Sequence, residues 1–460
     1  MNCFRWLLLC CLILISACTK SSKQLDSLPQ DEFIQVYFNH RLSKAKPYTE
    51  PYRQIERSGD NLESVIIREI ASAKQTIDLA VQELNLPLIA QELVKSHRSG
   101  VRVRVILDNN YSRSLSTLSP QKIKQLNQRD RLKYEQFRQL VDLNRDRKLS
   151  KAKIAQGDAL FILKQAGIPL IDDTADGSKG SGLMHHKFMV VDGQVVITGS
   201  ANFTVSGIYG DLDKLATRGN VNHLLRIENS ELASLFTEEF NYMWGGINNN
   251  NSRFGLDKPW RSPKLITGNN TQITLQFSPT SSQKDWQFST NGLIAKTIDQ
   301  ATESVDLALF VFSEQQIVDV LQQKHKEGIE IKGIFDPGFA YRYYSEVLDM
   351  LGITLYRNCQ AENDNNPWID SLNTIGIARL ERGDKLHHKF TVIDRKLIIS
   401  GSQNWSQAAN KNNDEALIII KNSKVVQHFI QEFERLYSQA SFELSTQVKS
   451  KLEQQQHQCN

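Results

Sequence analysis

An α/β fold built twice over is the class this sequence predicts, and three observations predict it. The segment His185–Asn202, HHKFMVVDGQVVITGSAN, returns at His387–Asn404 as HHKFTVIDRKLIISGSQN. The same order of elements, helix, strand, helix, strand, stands ahead of each copy, and a long closing helix stands behind each. The 460 residues, 40% of them hydrophobic, are enough for two ordinary domains with cores of their own. A formal net charge of +4 is too small to imply a polyanion partner by itself.

The first 18 residues, MNCFRWLLLCCLILISAC, stand apart. One basic residue, Arg5, precedes a short apolar run that ends in small residues, the pattern of a secretory signal and too short for a comfortable membrane span. Ile15-Ser16-Ala17-Cys18 resembles the lipobox of bacterial lipoproteins, which implies a lipidated Cys18, export and a membrane anchor. Cleavage there leaves Cys359 and Cys459 as the single pair free to form a disulfide, which an exported compartment permits.

Residues 19–58 read as a polar tether. Helix Asn61–Ala73, strand Thr76–Leu84, helix Leu86–Ser99 and strand Val101–Asp108 follow, the helices from apolar residues three and four apart, the strands from apolar runs between turn residues. The order repeats at Gly292–Ala301, Ser304–Ser313, Gln316–Glu327 and Ile329–Asp336, with Ile77-Asp78-Leu79-Ala80 matching Val305-Asp306-Leu307-Ala308. Closing helices are expected from Asn229-Ser230 to Trp244 and from Asn422-Ser423 to Tyr437. Alternating strands and helices predict layered lobes with a mixed or parallel sheet. The lobes are placed at 59–245 and 273–442, with an Asn-, Gly- and Pro-rich linker at 246–272 and a polar tail at 443–460.

Asp78 lies 107 residues before His185, and Asp306 lies 81 before His387, so the first copy carries an extra 26. The excess falls at about 111–158, where 12 Lys and Arg stand against 5 Asp and Glu. Within it Asp142, Asn144 and Asp146 resemble the calcium loop of EF-hands. Arg147 replaces the Gly at the sixth position and Lys153 the bidentate Glu at the twelfth. An EF-like helix–loop–helix kept for its shape is the favoured reading.

Each repeated segment reads His-x-Lys, four residues, Asp, six residues, Gly-Ser-x-Asn. Residues two apart in a strand share a face, so His185 pairs with Lys187 and His387 with Lys389. His186 and His388 point the other way, toward packing or hydrogen bonding. Asp192 and Asp394 complete the candidate set, read as structural or supporting because they sit where the strand reverses. The Gly-Ser pairs allow close backbone approach, and Asn202 and Asn404 add amide donors. Face to face, the copies offer two imidazoles, two ammonium groups and two carboxamides, an inventory that suits a phosphodiester. One His attacks phosphorus while the other protonates the leaving alcohol, and the roles then reverse toward water or another alcohol. No cofactor is called for, and lysines interleaved with the histidines repel a metal cation.

Both segments resemble the phospholipase D superfamily motif, and the likeness extends over most of residues 60–440. It implies a two-lobed α/β/α fold, one site at the lobe interface and a covalent phosphohistidine, with His185, Lys187 and Asn202 facing His387, Lys389 and Asn404. Many members use a downstream acidic residue to orient the catalytic His. Glu415 fits that position in the second copy, and Asn222 stands at the equivalent point of the first. The environments of His185 and His387 should therefore differ, with His185 assigned as nucleophile and His387 as acid and base. Phospholipid hydrolysis or transphosphatidylation is the expectation. A metal-free nuclease (favoured by the basic insertion) and a membrane-tethered phosphate-binding module without turnover are the alternatives. Trp260, Phe339 and Tyr341 are candidate base-stacking residues, more simply read as core or lip packing. A monomer with an internal pseudo-dimer suffices.

Overall fold

The computed structural model describes residues 27–42, 47–246 and 251–459. The lipobox and Cys18 lie outside the described residues. Seven strands make the first sheet: Ile34–Phe38 (β1), Thr76–Val81 (β2), Arg102–Leu107 (β3), Leu170–Asp172 (β4), Lys187–Val191 (β5), Val195–Gly199 (β6) and His223–Glu228 (β7). Their order is β1-β7-β6-β5-β2-β3-β4. Eight make the second: Lys264–Gly268 (β8), Thr271–Ser278 (β9), Ser304–Leu309 (β10), Glu330–Phe335 (β11), Ile375–Ile377 (β12), Lys389–Ile393 (β13), Leu397–Gly401 (β14) and Glu415–Lys421 (β15). They run β8-β9-β15-β14-β13-β10-β11-β12, so the centre of the second sheet repeats that of the first. In both, the two outer pairs beyond the strand–helix unit are parallel and the other pairs antiparallel.

The closing helices Ser230–Trp244 and Ser423–Gln439 start where the sequence placed them, because Asn229 and Asn422 accept hydrogen bonds from the amides of Leu232 and Val425. They lie between the sheets and share one core with them. Phe38, Phe188, Phe236, Phe390 and Phe429 meet there, fully buried, each contributing about 1.5–3 kcal/mol. The outer face of each sheet has its own core under the lobe's remaining helices.

Three segments differ from the sequence expectation. Residues 34–38 are no tether: Ile34, Val36 and Phe38 alternate inward and extend the first sheet antiparallel to β7. The second half of the linker forms the edge hairpin β8–β9, and its Lys258 and Arg261 reach the buried Glu239. The polar tail contains a helix, Thr446–Gln458, tied back by the Cys359–Cys459 disulfide and by hydrogen bonds between Gln455 and the backbone of Tyr356.

Candidate active site

β5 and β13 begin at the lobe interface, and the two residues before each carry His185-His186 and His387-His388. Strand alternation does what the spacing predicted. His185, Lys187, His387 and Lys389 are buried at the interface, and each lysine donates to the carbonyl of the histidine two residues before it, at 2.7 Å. His186 and His388 turn inward to Glu239 (2.8 Å) and Glu432 (3.1 Å).

The lobes exchange backbone at this point. The amide of His185 donates to the carbonyl of Asp414 and that of Asp414 to Leu183. On the other side, the amide of His387 donates to Val221 and that of Val221 to Lys385. These bonds lie at 2.8–3.1 Å and form two short parallel bridges related by the pseudo-twofold axis. The residue after each bridge then faces the histidine of the opposite lobe. Glu415 pairs with Nδ1 of His185 at 2.7 Å, and Oδ1 of Asn222 with Nδ1 of His387 at 3.0 Å. The expected difference between the histidines is present, but the carboxylate serves the first-lobe histidine rather than His387 of its own copy. The motif serines hold this pair: Ser200 donates to Asn222 at 2.8 Å, and Ser402 adds a hydrogen bond to Glu415, whose carboxyl is held below its ordinary value against burial, first by His185 and least by that serine.

Burial sets the charge states. Desolvation pushes His185 down to about 4, with Glu415 opposing the shift and Lys187 adding to it. His387 lies well below the usual imidazole range, first from burial and then from Lys389, Lys187 and His185. Both rings are neutral near pH 7, and with Nδ1 engaged each keeps Nε2 for chemistry. Burial lowers Lys187 to about 7 and Lys389 well below its ordinary value, their mutual repulsion contributing at Lys389. Burial is the larger cause at both lysines, so an anion bound between them, which restores their charge, is favoured.

Asn202 donates to Gln82 at 3.2 Å, and the Oδ1 atoms of Asn202 and Asn404 are buried without a partner. Asp192 and Asp394 do not join the group. Each sits at the far end of its strand, Asp192 accepting amides of Lys74, Gln75 and Thr76, Asp394 those of Thr302, Glu303 and Ser304. They clamp the start of β2 and β10 and are structural. Asp192→Ala leaves three amides without that acceptor and should lower unfolding stability by about 1–3 kcal/mol, measurable by urea denaturation.

Three residues take a supporting role that the sequence does not assign them. Asp108 and Asp336 accept the amides of Met184 and Leu386, fixing the peptide before each histidine pair. Phe310 packs on His387 with ring centroids 4.8 Å apart and lies 4.8 Å from the Lys389 ammonium. Phe339 meets Phe310 edge to face, so that aromatic does line the site's edge. Trp260 lies against Phe288 and Lys284, and Tyr341 against the outer core of the second lobe.

The EF-like loop carries its own cation. The Lys153 ammonium lies 2.5–2.6 Å from side-chain oxygens of Asp142, Asn144 and Asp146, where a calcium ion would compete with it. That contact supports the shape-keeping reading of the loop over calcium binding.

With this geometry in view, the likeness to known proteins is specific. A family model described as cardiolipin synthase, PLD-like domain, matches residues 66–244 and 294–437. Human mitochondrial cardiolipin hydrolase is 29% identical over 139 residues, 30% of this chain and 47% of that protein. The Xenopus laevis protein of the same name is 26% identical over 212 residues, 45% of this chain and 75% of its own. A phospholipase D of Rickettsia conorii is 26% identical over 140 residues, 30% of this chain and 60% of its own. The chain thus spans about half the length of the human relative and of the mouse one. Phosphatidylserine synthase from Haemophilus influenzae Rd KW20 aligns over 94% of both chains with a TM-score of 0.53 and 12% identity, a likeness of fold.

Proposed function

The chain belongs to the phospholipase D superfamily, and from that premise we propose that it is a phosphodiesterase acting on phospholipids through a phosphohistidine. The observation that carries the reading is the crossed pairing of His185 with Glu415 and His387 with Asn222. Nε2 of His185 forms the N–P bond as the P–O bond to the alcohol breaks, and His387 gives its Nε2 proton to the leaving oxygen. Water, or a second alcohol, then attacks phosphorus, its proton passes to His387, and the N–P bond breaks. Glu415 stabilises the positive charge that develops on His185, which favours His185 as the nucleophile. Lys187, Lys389, Asn202 and Asn404 donate to the non-bridging oxygens. Burial and then Lys389 and Lys187 hold His387 unprotonated; a bound phosphodiester anion offsets the lysine part, which lets it take the proton it must deliver.

Anchoring through Cys18 outside the cytoplasmic membrane supports a lipid substrate, because it keeps the site within reach of a bilayer. The Cys359–Cys459 disulfide fits that compartment. The test is parallel incubation with phosphatidylcholine vesicles and plasmid DNA, both in EDTA. Choline release without nicking is expected. Nicking without choline release, strongly suppressed by salt, would replace the reading with a nuclease.

Glu415→Gln supplies a sharper measurement. Glu415 favours the protonated imidazole, so its loss moves His185 below its value of about 4. The acid limb of kcat/KM should shift to lower pH while the plateau falls by about 10- to 100-fold. A limb that stays put or rises would remove Glu415 from the nucleophile's support.

A further inference from the structure

One unassigned feature near the site is a cleft that the extra residues of the first copy help to build. The helix Gln128–Val141 and the turn Leu115–Thr117 lie over the end of the first sheet from which the reacting groups project, and frame an open-mouthed cleft with a cavity volume of about 100 Å³. Its floor starts beside the reacting groups. Leu84 and Asn85 follow Gln82, the acceptor of Asn202, and Val205 comes three residues after Asn202. Glu83, on the rim, acts electrostatically on Lys187. Polar and charged side chains, Arg113 and Lys133 among them, share the walls with an apolar strip in which Phe137 and Leu115 are only half-buried, so apolar surface faces the opening. The second lobe has no counterpart to these extra residues, which makes the site lopsided.

We propose that the cleft between Leu84, Leu115, Phe137, Leu140, Leu160 and Val205 is the subsite for the aliphatic part of the substrate, the portion that stays on phosphorus while His185 is phosphorylated. The assignment rests on the phospholipid reading above and adds to it where the hydrocarbon goes. The side of the cleft supports the retained portion. Its lining comes from the first lobe, Glu83 acting on Lys187 and Leu84 following Gln82, the acceptor of Asn202, whereas the leaving alcohol departs toward His387 of the second lobe.

Calorimetric titration of the whole chain with ethyl, butyl, hexyl and octyl phosphate, kept monomeric, tests this without requiring turnover. Affinity should rise about three- to fourfold per added methylene, and Leu115→Trp, which fills the cleft, should flatten the series. Thermal melting shows whether that variant folds, and the wild-type series decides the matter even if it does not. A flat wild-type series overturns the proposal, as does a series unchanged in Leu115→Trp. A thymidine dinucleotide that binds more tightly than octyl phosphate and is lost in Leu115→Trp also overturns it, assigning the cleft to a base. The two readings fail separately. A flat series with hydrolysis of phosphatidylcholine removes the subsite alone. A rising series with no hydrolysis of phosphatidylcholine or bis(p-nitrophenyl) phosphate removes the catalytic reading alone.

Discussion

His185→Asn is expected to lower turnover by about 10⁴-fold or more, because it removes the atom that bonds phosphorus rather than one of several donors around it. His387→Asn should fall as far on a phospholipid, for a different reason. There the N–P bond still forms when the leaving group needs no proton, but the water that must release it has no base. With a p-nitrophenyl phosphodiester, His387→Asn should give one burst of nitrophenol and a mass increment on the protein, and His185→Asn neither. The asymmetry follows from the partners. Glu415 stabilises an imidazolium at residue 185, while the neutral amide of Asn222 fixes only the tautomer at residue 387. A burst from His185→Asn and none from His387→Asn would exchange the two roles. Undiminished turnover in either would end the mechanism.

Gly401→Ala should be the most damaging single methyl group in the molecule. Gly401 has φ of +130°, and a Cβ there would stand 2.1 Å from the carbonyl oxygen of Ala416. Neither β14 nor β15 has room to yield, because both lie between two partner strands and Gly401 is itself paired with Leu417 of β15. A loss of more than about 3 kcal/mol is expected, and any folded remainder should be inactive because Ala416 adjoins Glu415. Gly193→Ala is the comparison. Its φ of +61° is also left-handed, but nothing lies within 4 Å of the added carbon, so about 1 kcal/mol should be lost. Denaturant midpoints measured side by side check both. Equal losses would show that backbone conformation alone, not the close approach of β15, fixes the glycine.

The motif spacing made the site legible because strand alternation is a local property. Four buried groups follow from His-x-Lys written twice. The crossing of Glu415 to His185 was not legible, since it depends on backbone bonds between residues more than 200 apart in sequence, and spacing within one copy says nothing about them. Residues 34–38 carried a readable signal in the alternation of Ile34, Val36 and Phe38, hidden by the polar run ahead of it. Lys153 was visibly the wrong residue for a calcium ligand. That its ammonium folds back among the oxygens it fails to complete could be learned only from coordinates. Phe310 left no trace, because one apolar residue after a strand looks like any other.

Four hydrogen bonds at the crossing join segments that duplication made alike, and they leave the halves unequal owners of what they encode. The residue that tunes each histidine is inherited with the other half, so neither copy carries a complete set of instructions for its own reactive ring. The outer layers are free to drift apart, as the 26 additional residues show. A substitution at 415 or 222, by contrast, takes effect on the reactive ring of the partner copy.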